Sequence, residues 1–318
     1  MAPPSSHPIS SEVRVGILVL NYHHPRETLE CIRSLLIREP STSRILWLEN
    51  DADATWAETR SVLESSGIVF QVLDADAGLL PPQGVVGVVL NRENLGFAGG
   101  NNVGLRLLHR LQVPFAWVLN NDILVKEGNS HFLVCAAEAR PEVGLWGTTI
   151  RSANGRSYSG GLLNLGDFSI EPVLDPGLLE GNPLSFVSGC SLFFRNDLAH
   201  QLGYIPEDYF LYYEDPAFTM EVRRLGLTAS ACLEVVVLHE ESLSTGHRSP
   251  VMEYYSRRNR WAFIQRYFPE RLRAQRRNVW YRFQSLLFRG AFRRAILEWL
   301  AMKDWKAGKM GRTTRALG

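Results

Sequence analysis

Four stretches carry side chains whose types and spacing suit chemistry on a phosphate-bearing ligand. At 117–122, WVLNND runs from an apolar segment straight into two amides and a carboxylate. One carboxylate offered at a strand end, with few other protein ligands, suits a hard divalent cation that also holds substrate phosphates; Asp122 is the first metal candidate, with Asn120 beside it. An Asx turn at a strand end is the competing reading. At 94–102, NLGFAGGNN sets three glycines and three amides before a helix, so backbone N–H groups around Asn94 and Gly96 can face a nucleotide. Neither GxGxxG nor GxxxxGK[ST] is present, and close packing at a helix entry accounts for the glycines equally well. At 209–215, YFLYYED leads an aromatic run into two carboxylates, with Pro216 suited to a first helical turn. Aromatic walls stack on sugar or base and lower the local dielectric, which strengthens a neighbouring carboxylate as a base. Glu214 and Asp215 point about 100° apart on a helix, so one of them is structural; both could instead complement a helix dipole. Finally, VVVLH ends an apolar strand on His239, a metal ligand or a hydrogen-bonded structural histidine.

The elements that must position these residues read as alternating strands and helices. The continuous apolar run at 15–20 has the character of a strand covered on both faces. Pro25 and the spacing of Leu29, Ile32, Leu35 and Leu36 mark a helix that Pro40 stops. Further strands are expected at 44–48, 68–73, 85–90, 115–119, 143–150, 185–194 and 227–238, with helices at 54–65, 98–111 and 131–139 and a loop at 74–84. This rhythm specifies an α/β sheet with right-handed crossovers. Ligands of such sheets bind beyond the carboxyl ends of the strands, where Asn21, Glu49, Asn50, Asn94, Asn120 and Asp122 fall.

With 318 residues, 45% hydrophobic and 21% charged, the chain can bury a sizeable core and is too apolar for a disordered polypeptide. Cys31, Cys135, Cys190 and Cys232 stand far apart without a CxxC pair, which excludes a thiolate zinc site and fits a reducing compartment. No apolar stretch approaches the ~18 to 20 residues of a membrane span and no secretory signal is visible, so the expected location is cytoplasmic. Residues 1–11 are a Pro/Ser-rich lead expected to be mobile. The net charge of +1 hides an asymmetry: residues 248–318 hold 18 Lys and Arg against 4 Asp and Glu, or +14, leaving 16 against 29, or −13, for residues 1–247. The tail is expected to be helical, with Trp280, Phe283, Leu287, Ala291, Ala295 and Trp299 on one stripe beside arginines. Such a stripe suits an anionic membrane surface or packing on the acidic body. No RNP, KH or helix-turn-helix pattern supports a nucleic-acid partner.

Taken in order, these segments resemble the family 2 glycosyltransferases of the GT-A fold, in particular the rhamnosyltransferase-like branch. Asn21 lies in a segment similar to that family's first-strand exit, Glu49 and Asn50 stand in its usual Val-Asp-Asn, and 94–105 matches its most recognisable stretch. The LNND at 119–122 resembles the DxD-type metal motif, and 187–195, with Ser188 and Gly189, the acceptor-side loop. The 209–215 run resembles the segment carrying the catalytic acid pair, and His239 with 242–246 and 254–259 the C-terminal signature. Glu49, Asn120 and Ala217 depart from the family's acids.

The resemblance implies a GT-A catalytic domain over 12–247 with a mostly parallel nucleotide-binding sheet, followed by the basic extension 248–318. It implies inverting transfer of a sugar from a dTDP-, UDP- or GDP-linked donor to a hydroxyl of a glycan or lipid-linked acceptor, as in cell-surface polysaccharide synthesis. In that reading Asp215 is the base, Asp122 and His239 hold Mg²⁺ or Mn²⁺, Asn21, Glu49, Asn50, Asn94, Gly96, Asn120 and Asp122 contact the donor, and Ser188, Gly189, Tyr213 and Glu214 face the acceptor. A catalytically inactive sugar-nucleotide binder is the alternative, since Asn120 and Ala217 replace acids. A nucleotidyltransferase would show a Gly-rich basic loop after its first strand, where this chain has Asn21 to His24.

Overall fold

The computed structural model describes residues 13–74, 78–152, 154–239 and 249–314; the Pro/Ser-rich lead and residues 242–246 lie outside the described residues. The first half alternates β1 (Val15–Asn21), α1 (Pro25–Leu36), β2 (Ser43–Asn50), α2 (Ala52–Ser65), β3 (Phe70–Leu73), β4 (Val86–Asn91), α3 (Gly96–Arg110) and β5 (Phe115–Asn120). There follow β6 (Ile123–Glu127), α4 (Ser130–Ala139), β7 (Val143–Ser152), β8 (Ser157–Tyr158), β9 (Gly160–Leu163) and β10 (Ile170–Pro172). Next come α5 (Gly177–Gly181), β11 (Ser185–Val187), β12 (Ser191–Arg195), α6 (Asn196–Gln201), α7 (Glu214–Arg224) and β13 (Thr228–His239). Three helices close the chain: α8 (Pro250–Tyr267), α9 (Leu272–Phe288) and α10 (Phe292–Lys306).

Ten strands form one sheet in the order β3-β4-β2-β1-β5-β12-β7-β13-β6, with β8 on β7. From β3 to β5 every pairing is parallel, whereas β12 runs antiparallel between β5 and β7. The apolar run of β1 is buried on both faces because its alternate residues serve two layers. Ile17 and Val19 join Trp47 and Trp117 on one side, and Leu18 meets Leu105 and Leu108 on the other. A three-stranded sheet, β10-β9-β11, stands apart.

Three local readings are corrected. The single strand expected over 185–194 is two, because the turn at Ser188, Gly189 and Cys190 sends β11 into the small sheet and β12 into the large one. Strand β6, absent from the expected pattern, pairs with the end of β13. The tail is not one stripe: Gly290 adopts φ +68, a left-handed turn that glycine takes without Cβ strain, and α10 folds back on α8. Ala295 is therefore buried while Trp280 and Trp299 are exposed. Helix α8 packs on the 209–213 segment and α7, its Phe263 and Ile264 sharing a core with Tyr209, Tyr213 and Ala217.

Candidate active-site cleft

A cleft of about 1250 Å³ opens at the carboxyl ends of the central strands. Asn50, Asn94, Gly96, Asn120, Asp122, Ser188, Gly189, Tyr213, Glu214, Asp215 and His239 all line it. Asn21 and Glu49 do not: both are fully buried beneath its floor. The Asn21 amide donates to both Glu49 oxygens at 3.1 and 2.9 Å, Trp47 Nε1 donates to Oε2 at 2.8 Å, and Thr55 donates to Oε1. With three internal donors making four hydrogen bonds to its two oxygens, buried Glu49 ties β1, β2 and α2 together and is not aimed at a ligand.

Asn50 and Asn94 lock the glycine-rich entry of α3. Asn50 donates to Asn94 Oδ1 at 3.0 Å and accepts from Leu95 N–H at 3.1 Å, and Asn94 Oδ1 accepts from Gly96 N–H at 2.8 Å. Gly96 has φ +75, and a Cβ there would stand 2.2 Å from the Phe210 carbonyl oxygen. That close approach lets Phe97 N–H donate to Phe210 at 2.9 Å, joining the loop to the aromatic segment. Asn101 and Asn102 are fully buried, and Asn102 instead donates to the Ile205 carbonyl at 2.8 Å.

The antiparallel register of β13 on β6 pairs His239 with Ile123, which places the histidine beside Asp122. Asp122 Oδ1 lies 3.3 Å from His239 Nε2, and this buried oxygen has no hydrogen-bond partner. Tyr158 Oη lies 3.2 Å from Nδ1 on the other side of the ring, which orients the imidazole. Among the described residues no cluster of three or more His, Cys, Asp or Glu is present. An unsatisfied buried carboxylate oxygen facing an oriented imidazole nitrogen in an open cleft fits a divalent cation whose remaining ligands come from phosphate and water.

The acid pair follows a strained aromatic run. Phe210, Tyr212 and Tyr213 have φ of 64, 68 and 76, left-handed values that non-glycine residues hold only when their surroundings impose them. Asn259, fully buried on α8, imposes them: its amide donates to the carbonyls of Tyr209, Leu211 and Tyr212 at 2.7, 2.8 and 2.8 Å. Arg258 donates to Tyr209 O at 3.1 Å and to Gly311 O at 2.7 Å. Tyr213 is thereby set with its hydroxyl on the Phe168 carbonyl at 3.1 Å, and burial pushes that phenol up to about 12. Phe210, Tyr212 and Tyr213 wall the cleft, while Tyr209 is buried in the core beneath it.

Glu214 is buried with Oε2 unpaired; Asp215 is half-buried and its Oδ2 accepts from Gly189 N–H at 3.0 Å. Burial raises both carboxyls above the ordinary range, and the nearby Asp215 charge raises Glu214 further, whereas the Gly189 N–H opposes the rise at Asp215. Both line the cleft, and Asp215, the less buried and the less raised of the two, is the one that ionises first. Ala217 is fully buried in the core behind it, so an acid at that place would not face a ligand. The sequence reading missed Tyr158, the positioning by Arg258 and Asn259, and the cleft arginines Arg260 and Arg282. The 254–259 stretch resembled the C-terminal signature without giving Asn259 a role; an Asn flanked by arginine in an aromatic-rich helix interior pointed the same way, because Asn is a poor helix former without such a task.

No family model matches the chain. Among curated proteins it is 25% identical over 186 residues to the low-salt glycan biosynthesis hexosyltransferase Agl10 of Haloferax volcanii. That match covers 53% of this chain and 56% of the relative, so the chain spans little more than half the relative's length. Among solved structures it is similar to GalNAc-T7 with UDP, GalNAc and Mn²⁺, at TM-score 0.54 and 13% identity over 78% of this chain and 47% of that one. It is also similar to the mannosyltransferase PcManGT of Pyrobaculum calidifontis in complex with GDP-Man and Mn²⁺, at TM-score 0.53 and 14% identity over 94% and 83%. The fold is that of the GT-A type, a large, mostly parallel α/β sheet flanked by helices.

Proposed function

We propose that this protein is an inverting, metal-dependent glycosyltransferase of the family 2, rhamnosyltransferase-like kind, using a nucleoside-diphosphate sugar and a hydroxyl of a glycan or lipid-linked acceptor. The observation that carries the reading is one cleft that holds both an oriented Asp122–His239 pair and a half-buried Asp215. Asp215 takes the proton of the acceptor hydroxyl as its oxygen bonds to the anomeric carbon, and the bond from that carbon to the diphosphate oxygen breaks. Asp122 and His239 Nε2 would hold Mg²⁺ or Mn²⁺, which when bound supplies charge neutralisation to the departing diphosphate. Asn50, Asn94, Gly96 and Asn120 form the donor side, and Phe210, Tyr212 and Tyr213 exclude water. Hexosyl and deoxyhexosyl donors both fit this chemistry, with a role in cell-surface polysaccharide synthesis. Residues 12–247 form the catalytic part and 248–318 an extension that completes its wall.

The test is release of nucleoside diphosphate from a panel of dTDP-, UDP- and GDP-sugars, with and without chelator. Turnover only with a divalent cation is expected, and no binding of any donor in the presence of Mg²⁺ or Mn²⁺ would overturn the reading. Asp122→Ala is expected to lower turnover at least ~10-fold, because a lost metal ligand acts directly on leaving-group stabilisation. His239→Ala should weaken nucleoside-diphosphate affinity as well as rate. Full activity of Asp122→Ala in chelator removes this pair from the mechanism.

We propose further that the acceptor is met at an anionic membrane surface, on the cytoplasmic face. Around the α9–α10 turn, Trp280, Tyr281, Phe288, Phe292, Ile296 and Trp299 are all exposed, Phe288 to 93%, with Arg289 and Arg293 among them. No helix among the described residues is long and apolar enough to cross a membrane. Aromatic side chains at a basic corner suit the headgroup layer, where each nearby Lys or Arg contributes ~1 kcal/mol. The protein is expected to sediment with phosphatidylglycerol-rich vesicles and not with phosphatidylcholine, less so as salt rises, and to lose this with Phe288→Asp and Phe292→Asp combined. Equal binding to both vesicles, or no effect of the double change, overturns it.

A further inference from the structure

Five arginines line the cleft, and four of them, Arg257, Arg260, Arg282 and Arg312, lie beyond β13 in a part of the chain that sheet topology does not oblige to reach it. Arg257 pairs with Glu253 at 2.8 Å and with Glu298 at 2.9 Å. Arg260 is only 8% exposed, shares the same Glu298 at 3.7 Å and donates to the Asp167 carbonyl at 3.3 Å. Among the described residues no ion pair or hydrogen bond reaches Arg282. Its guanidinium is lowered first by burial and then by the like charge of Arg260, with Glu298 opposing. Glu253 and Glu298 answer Arg257, Glu298 also lies near Arg260, and Asp167 acts on Arg260 and Arg282, but Arg282 is exposed on the cleft wall with no bonded partner among the described residues. An exposed cleft guanidinium without a bonded partner, beside the nearly buried cation of Arg260, is open to an anionic ligand.

The corner lies on the base side of the cleft. Arg260 donates to the Asp167 carbonyl and the Tyr213 hydroxyl to the neighbouring Phe168 carbonyl at 3.1 Å, and Tyr213 immediately precedes the acid pair. We propose that Arg260 and Arg282 form a phosphate subsite for the acceptor, which bears a phosphate or diphosphate ester near its reacting hydroxyl. This rests on the glycosyl-transfer reading and narrows its acceptor class. Guanidinium forks suit such a group because they donate two parallel hydrogen bonds to phosphate oxygens.

Calorimetric titration in chelator with two probes, inorganic pyrophosphate and farnesyl diphosphate, tests the subsite without a metal-bound donor. Arg282→Ala is expected to weaken both probes ~10-fold or more, the effect of losing charge-assisted hydrogen bonds. Arg277→Ala, on the same helix but off the cleft, should leave both unchanged, as should either variant for nucleoside diphosphate with Mn²⁺. Thermal unfolding of Arg282→Ala, an exposed residue, checks that the fold is kept. Equal affinity for the two probes supports a subsite that reads phosphate alone; tighter farnesyl diphosphate supports one that also meets a lipid chain. Undiminished probe binding by Arg282→Ala overturns the proposal. So does an equal loss of nucleoside-diphosphate affinity, which would assign these arginines to the donor. If the unaltered protein binds no nucleoside diphosphate yet holds pyrophosphate through Arg282, the glycosyl-transfer reading fails while the anion site stands.

Discussion

Asp215→Asn is expected to lower turnover by ~10² or more with nucleoside-diphosphate affinity little changed, the usual size of a lost general base. The amide keeps the volume of the carboxylate, and its oxygen can still accept from the Gly189 N–H at 3.0 Å, so the local fold should persist. What it cannot do is accept a proton. Glu214→Gln should cost less, because Glu214 is buried with an unpaired oxygen. If Glu214→Gln is the crippled variant instead, the roles of the pair are reversed.

The same pair sets a pH signature in which rate and stability move in opposite directions. Both carboxyls are raised above the ordinary carboxylate range by burial. The base must be ionised, so the rate falls as pH drops through the raised value, above the pH of an ordinary carboxylate. For stability the sign is opposite: the folded state binds these protons more tightly than the unfolded chain, so the pair's contribution grows as pH falls toward the unfolded value. Activity lost over a window where denaturation midpoints do not fall would match. An acid limb at the ordinary carboxylate position would contradict the assignment.

Asn259→Ala is expected to reduce stability by about 3 kcal/mol and turnover by ~10². One buried amide serves three carbonyls of a segment with three left-handed non-glycine residues, and its loss takes that donor from Leu211 and Tyr212 while Tyr209 keeps Arg258 and the Leu211 N–H. Relaxation of Phe210, Tyr212 and Tyr213 would carry Asp215 with them, and displacement of a catalytic group by ~1 Å costs about that factor. Urea denaturation measures the first effect. Nucleoside-diphosphate affinity should survive better than turnover, since Asn50, Asn94 and Asp122 hang on β2, β4 and β5 and not on α8. Unchanged stability would show that the aromatic segment holds itself.

The sequence alone determined the alternation of β1 through β5 and the strand exits, because burial on both faces of a parallel sheet demands continuous apolar runs that end in polar residues. It also drew attention to Asp122, His239 and the Glu214–Asp215 pair, whereas the choice of Asp215 within the pair came from the family resemblance and not from residue type. It could not separate Asn21 and Glu49 from the residues that line the cleft, since a polar side chain at a strand exit looks the same whether it faces a ligand or, as here, internal hydrogen-bond partners. The meeting of His239 with Asp122 depends on an antiparallel register between β6 and β13, and the arginine corner on α8 and α9 returning to the cleft. Those are long-range pairings. Local propensity and periodicity act over a few residues, whereas which distant segments share a surface is decided by packing of the whole core.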